Sequence, residues 1–180
     1  ELENDGYGDT SALADLARAL GDHWRFVKGR TDRHDDAIRN GLLYRHDRVR
    51  PHGPVTLIRE EAFEHWHRPA LAQGFQAIGG SEVLTVVSVH LKSKRCRNAP
   101  PGQQDTGDGQ GCFAAARTAA SRQLAQWLPP DLGESDLVLL AGDFNAYAME
   151  APIEALARAG YTDLIAKRHG PEKLTFRYHG

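Results

Sequence analysis

The chain is 180 residues long, 41% hydrophobic and 26% charged, with a formal net charge of −2 at pH 7. This is the balance of a soluble globular protein with one sizeable core, and no internal repeat is visible, which excludes a repeat array. A nearly neutral total gives no global pull on nucleic acid, so polyanion binding has to come from a local patch. No apolar run approaches the roughly 20 residues that span a bilayer, and no basic-then-apolar leader opens the sequence.

Asp9-Thr10-Ser11 offers N-cap oxygens ahead of Ala12 to Leu20, whose apolar spacing is helical and which Gly21 closes. Trp24 to Val27 reads as a short strand. Asp36 to Tyr44 reads as a longer one ending in Leu42-Leu43-Tyr44, and Pro54 to Arg59 as another. Val83 to Val89 is apolar and β-branched on both faces, the pattern of a central strand in a covered sheet, and it delivers His90 at its end. Phe113, Ala116, Ala120, Leu124 and Trp127-Leu128 form a helical stripe that Pro129-Pro130 stops. Asp136 to Ala141 reads as a buried strand, Pro152 to Ala159 as a helix capped by Gly160, and Leu174 to Tyr178 as a last strand. Several strands follow one another without a helix between them, which fits a layered α/β sandwich with a mixed sheet better than a purely parallel one. Tyr44 and the tryptophans Trp24, Trp66 and Trp127 are expected in the core.

Cys96 and Cys112 bracket a loop of Pro, Gly, Gln and Asp with no apolar periodicity, and a structureless insertion of that length needs an anchor. A disulfide between them supplies about 3 kcal/mol for a loop of about 15 residues and points to an oxidising compartment. Two free thiols or half a metal site are the competing readings, although no further Cys completes a zinc set. Lys92, Lys94, Arg95 and Arg97 follow His90 directly. They read either as a patch that draws a phosphate backbone toward the site or as a solvated basic loop.

The most informative stretch is Leu139-Leu140-Ala141-Gly142-Asp143-Phe144-Asn145-Ala146. Residues at i and i+2 of a strand share a face, so Asp143 and Asn145 are expected to project together. Asp can hold a metal or a nucleophilic water, and Asn can donate to a phosphoryl oxygen without adding negative charge. The alternative is turn chemistry, with short polar side chains bonding their own backbone where a strand ends. A second interior strand ending in His90 favours the functional reading, because crevices at strand ends are where layered α/β proteins keep their sites.

Gly142-Asp143-Phe144-Asn145 behind an apolar strand, together with Ser88-Val89-His90-Leu91-Lys92-Ser93, resembles the endonuclease/exonuclease/phosphatase superfamily, which includes the pancreatic deoxyribonuclease type. Glu1-Leu2-Glu3-Asn4-Asp5-Gly6-Tyr7-Gly8 and the segment from His90-Leu91-Lys92-Ser93-Lys94 through Gly109-Gln110-Gly111-Cys112 most resemble secreted bacterial nucleases. The resemblance implies a single domain over residues 1–180, a deoxyribonuclease-like four-layer α/β sandwich with mixed sheets, incomplete at both ends. It implies Glu1 as a Mg²⁺ ligand with Glu3 as the fallback, against the plainer reading of a charged strand end. His90 is expected to contact the scissile phosphate or help protonate the leaving oxygen, a task suited to a side chain titrating near neutrality. Asp143 is expected to activate the attacking water or share the metal, and Asn145 to bind the phosphate. Asp36 is the candidate for orienting the His90 imidazole, against an ordinary surface-strand position. Arg117 is a candidate phosphate contact, against a solvated helix arginine.

The implied activity is a secreted, Mg²⁺-dependent nuclease, with Ca²⁺ or Mn²⁺ as further metals. Its substrate is DNA, with RNA as a second, and it acts as a monomer away from membranes. Another phosphoesterase of the same superfamily, such as a sphingomyelin phosphodiesterase or a phosphatase, shares that chemistry. A non-catalytic nucleic-acid-binding module on the same fold is the alternative from a different class. Two departures stand out: the superfamily's first-strand Asn and its C-terminal Asp-His pair have no counterpart here. The late histidines, His169 and His179, follow Arg168 and Tyr178. The expectation is a fragment with little turnover of its own, and a coding sequence that continues past Gly180 into an Asp-His pair. Sequencing the intact gene checks this, and a stop codon directly after Gly180 would overturn it.

Overall fold

A computed structural model describes residues 8–28, 38–127, 137–170, 172–173 and 175. Glu1, Glu3, Asp36 and most of the strand expected at Leu174 to Tyr178 lie outside the described residues. The described residues fall into two compact units. One takes in the chain up to His90 and the stretch that ends at Gly142; the other takes in Leu91–Trp127 and the chain from Asp143 onward.

In the first unit, helix α1 (Ala12–Leu20) forms where its cap chemistry starts it. Ser11 Oγ accepts from the Ala14 amide at 3.1 Å, and Gly21 at φ 105° ends the helix. Its Leu13, Ala14 and Ala17 turn inward, and the helix packs on β1 (Trp24–Phe26). β1 pairs antiparallel with β2 (Leu43–Arg45) in a two-stranded sheet. β2 is shorter than expected, because Asn40, Gly41 and Leu42 run irregularly into it. Tyr44 stacks at a tilt on Phe75, with ring centroids 5.3 Å apart. The tryptophans depart from expectation: Trp66 is 38% exposed, and Trp24 and Trp127 are half-buried.

The second sheet has the order β3-β4-β5-β6, formed by Val49–Ile58, Ala70–Ala77, Val83–His90 and Leu137–Asp143. β3 and β5 both pair antiparallel with β4. β3 starts at Val49, ahead of the expected Pro54: the register shift between His52 and Thr56 takes up Pro54, and Pro51, paired with Phe75, lies on the strand that begins the sheet order. Buried Gln73 closes that bulge. Its carboxamide donates to the carbonyls of His52, Gly53 and Gly74 at 3.0, 3.2 and 3.0 Å. β4 itself is missed by the sequence reading. Ala70-Leu71-Ala72-Gln73-Gly74-Phe75-Gln76-Ala77 contains no β-branched residue, and it becomes a strand through pairing on both edges and burial of its first four side chains.

β6 ends against Val89. A Cβ on Gly142, which sits at φ 135°, would lie 2.0 Å from the Val89 carbonyl oxygen and 2.9 Å from its amide nitrogen. Only glycine permits that approach.

The second unit is helical. α2 (Ala114–Gln126) buries Ala116, Ala120 and Leu124 on the expected stripe, starts from a left-handed, buried Phe113, and packs against α3 (Ala151–Arg158). α4 (Leu164–His169) was not anticipated. Asp163 Oδ1 caps it by accepting from the Ile165 and Ala166 amides, each at 2.9 Å. Among the described residues no helix is long and apolar enough to cross a membrane.

Gly142→Ala is expected to cost about 3 kcal/mol, through overpacking against backbone and a strained φ. A thermal melt unchanged from the parent would show that β6 has no need of this close approach.

Candidate functional site

β5 delivers His90 as its last residue, 6% exposed. Its Nε2 lies 3.0 Å from Arg68 Nη1. A guanidinium has donors and no acceptor, so Nε2 is the accepting nitrogen. The Arg68 amide also donates to the His90 carbonyl at 3.3 Å, and the following Pro69 carbonyl accepts from Asn40 Nδ2 at 2.8 Å. Sequence reasoning missed Arg68, because it sits at the entry to the unrecognised strand β4. Its one visible signal is the Arg68-Pro69 dipeptide, which biases Arg68 toward extended backbone.

In the second unit, Asp143 is exposed and its Oδ1 accepts from the Asn145 backbone amide at 2.8 Å. Asn145 is left-handed, at φ 47°, and its Nδ2 donates to the Leu91 carbonyl at 2.9 Å. The Leu91 amide in turn donates to the Asp143 carbonyl at 2.9 Å. The structure brings Asp143 and Asn145 together, though not by strand alternation: the strand stops at Asp143, and an Asx turn carries the chain to Asn145. One carboxylate oxygen of Asp143 is thus held by backbone, and Oδ2 has no bond to a described residue.

Cys96 and Cys112 form the expected disulfide, with Cα atoms 5.0 Å apart. Arg117 corrects both readings of it, since it neither reaches outward for a phosphate nor lies solvated on its helix. It is fully buried, and its Nη1 donates to the carbonyls of Lys92 at 3.2 Å and Cys112 at 2.7 Å, while Nη2 donates to the Gln110 carbonyl at 2.6 Å. Burial pulls its pKa below the ordinary guanidinium value, and the carboxylates of Glu150 and Asp108 act against that shift.

Lys94 is also corrected. Its ammonium pairs with the buried Glu150 carboxylate and lies 4.1 Å from the Tyr147 ring centroid. Glu150 directly precedes α3, whose Ala151 amide donates to Gln110 Oε1 at 2.9 Å. Lys92 Nζ lies 5.1 Å from the Phe113 ring centroid, and Arg95 and Arg97 are the exposed cations of the patch. Nothing in the local sequence marks Glu150 as the partner of a lysine on a distant loop.

Among the described residues no three His, Cys, Asp or Glu side chains gather into a metal cage. Mg²⁺ does not require one, since it keeps several waters and takes one or two carboxylates. The exposed Asp143 carboxylate is a hard donor of the right kind.

No protein-family model matches the chain, and no curated protein matches it. Solved structures do. The human Nocturnin catalytic domain with bound sulfate anion is 20% identical with a TM-score of 0.55, over 82% of this chain and 52% of that one. A D. rerio TDP2 humanized by 14 mutations is 19% identical with a TM-score of 0.51, over 87% and 52%. D. rerio TDP2 complexed with single strand DNA product is 20% identical with a TM-score of 0.50, over 92% and 67%. The chain has the α/β fold of these proteins. It spans about half the length of the Nocturnin domain and of the humanized TDP2.

Glu150→Ala is expected to lower stability by about 3 kcal/mol, because it leaves a largely buried ammonium without its partner. Glu150→Gln, which keeps a hydrogen-bond acceptor, is expected to cost less. Thermal unfolding of the two variants measures the difference, and parent-like melts for both would show that the pair contributes nothing.

Proposed function

We propose that the chain is the catalytic part of a divalent-metal-dependent phosphodiesterase, a secreted nuclease that hydrolyses DNA, with RNA as a second substrate. The observation that carries this reading is the Asp143 turn, which fixes one oxygen of an exposed carboxylate on the Asn145 amide. The similar structures lend support in their own terms. Nocturnin holds a sulfate, an anion with the tetrahedral shape of a phosphate, and TDP2 holds a single-stranded DNA product. The disulfide supports an oxidising compartment, and exposed Arg95 and Arg97 suit a polyanion.

Phosphodiesters resist hydrolysis because their anionic oxygens repel hydroxide and the alkoxide is a poor leaving group. A site must therefore neutralise the phosphoryl oxygens and place a water in line. Asp143 is assigned to orient that water or to hold Mg²⁺, with Glu1 as the second ligand and Glu3 as its fallback. The metal, when bound, supplies Lewis-acid neutralisation of phosphoryl charge. Asn145 is assigned to a phosphoryl oxygen through an amide hydrogen, adding no negative charge. His90 is assigned to the phosphate as well, and Asp36 is the candidate to orient it.

The intact protein is expected to degrade plasmid DNA with Mg²⁺ and to stop when a chelator is added. Asp143→Ala is expected to lower the rate by about 100-fold or more. Parent-like cleavage by Asp143→Ala would remove the assigned site. Binding without cleavage at every metal concentration would favour a non-catalytic nucleic-acid-binding module, and cleavage of a lipid phosphodiester alone would favour a sphingomyelinase-like activity.

A further inference from the structure

We propose that Arg117 is a positioning residue for the Asp143–Asn145 turn, acting through the Lys92 carbonyl. The inference deepens the phosphodiesterase reading and rests on it only for the catalytic consequence. Every group it uses lies in the unit formed by Leu91–Trp127 and the chain from Asp143 onward. Arg117 is the fourth residue of α2, in a first turn that carries no acidic side chain, and it is 0% exposed. The positive end of the helix dipole and the loss of water both disfavour a cation at that place. Arginine is therefore a costly choice by local criteria, where a methionine or leucine would simply pack. Its three carbonyls, those of Lys92, Gln110 and Cys112, offset that cost. They come from both sides of the loop that the Cys96–Cys112 disulfide closes.

The Lys92 carbonyl is the contact that bears on the site. Leu91 is anchored by its buried side chain and by its amide on the Asp143 carbonyl. Neither anchor sets the direction of the Leu91 carbonyl, which belongs to the next peptide plane and turns with ψ of Leu91 and φ of Lys92. That carbonyl accepts from Asn145 Nδ2 at 2.9 Å. Arg117 Nη1 holds the Lys92 carbonyl at 3.2 Å, and so pins the far end of the plane. The same Nη1 holds the Cys112 carbonyl at 2.7 Å, and the Cys112 amide donates to the Lys94 carbonyl at 3.1 Å. The Leu91–Lys92 peptide is thereby tied to a covalently closed loop. A carboxamide nitrogen carries two hydrogens, and with one bound to Leu91 the other has a fixed direction. That second hydrogen is the one assigned to a phosphoryl oxygen.

The test is NMR on the full-length protein with ¹⁵N-labelled asparagine, the Asn145 carboxamide being assigned by its loss in Asn145→Asp. In the parent it should give one pair of signals with a proton slow to exchange. Arg117→Met, similar in length and apolar, should give fast exchange or doubled signals there. Arg117→Lys, with one nitrogen for three carbonyls, should show the same change to a smaller degree. Leu124→Ala is the control, since it removes a buried side chain of the same helix and leaves the three carbonyls alone. It should lower the melting temperature while the Asn145 signals stay parental. A freely exchanging Asn145 carboxamide in the parent, parental signals in folded Arg117→Met, or the same change in Leu124→Ala as in Arg117→Met would overturn the proposal. Should Arg117→Met fail to fold, Arg117→Lys is read in its place. If the phosphodiesterase reading holds, Arg117→Met should also lower kcat/KM by about 10–100-fold, and Leu124→Ala should leave it near the parental value. Absence of cleavage by the parent, with the expected spectra, would sink the phosphodiesterase reading and leave the role of Arg117 standing.

Discussion

The contact between Gly142 and Val89 is the constraint on which the placement of the motif depends. β6 approaches β5 so closely that the space a Cβ would take already holds the Val89 carbonyl oxygen. Glycine also supplies the φ of 135° that other residues adopt only under strain. The turn that follows at Asp143 needs no hydrophobic anchoring of its own. A short polar side chain bonding its own backbone is sufficient.

The helical unit solves a different problem. The loop between Cys96 and Cys112 is rich in Gly, Pro and Asp and has almost no apolar surface to bury. It is ordered by covalent closure and by charge turned inward, with Arg117 holding three carbonyls and Lys94 reaching Glu150 at the head of α3. Buried polar networks of this kind stabilise only when their members are paired, because each unpaired charge carries its full desolvation penalty. The same economy explains why the patch after His90 is less basic at its surface than its composition suggests. Of the four cations in that patch, Lys94 turns inward to Glu150.

What the sequence made legible divides along physical lines. Local signals carried α1, the β5 run into His90, the α2 stripe and the disulfide, since capping, periodicity and cysteine spacing all act over short stretches. Long-range pairing stayed hidden. β4 is a strand because of its neighbours rather than its Ala, Gly and Gln residues, and missing it concealed Arg68 at its entry. Arg117 sits on a helix whose apolar spacing is visible, but nothing local shows that an arginine there faces three loop carbonyls. The Lys94 to Glu150 pair joins residues far apart in sequence, and its partners become legible only when α3 is placed beside the loop.

The Gly-Asp-Phe-Asn stretch carries the turn chemistry of a strand end, and that turn also holds one oxygen of the Asp143 carboxylate. A carboxylate that must aim a single oxygen outward gains from having its other oxygen held, because each rotamer removed before ligand arrives is ordering that binding no longer has to supply. The Asn145 amide does this for Asp143, and the Leu91 carbonyl does it for the Asn145 side chain. Arg68 meets His90 at two points, with its guanidinium 3.0 Å from Nε2 and its amide on the His90 carbonyl. In each case the group assigned to chemistry is held by a backbone or a neighbouring side chain. A search for chemically reactive residue types alone passes over such supports, because backbone groups and an Arg beside a His carry no signal of their own.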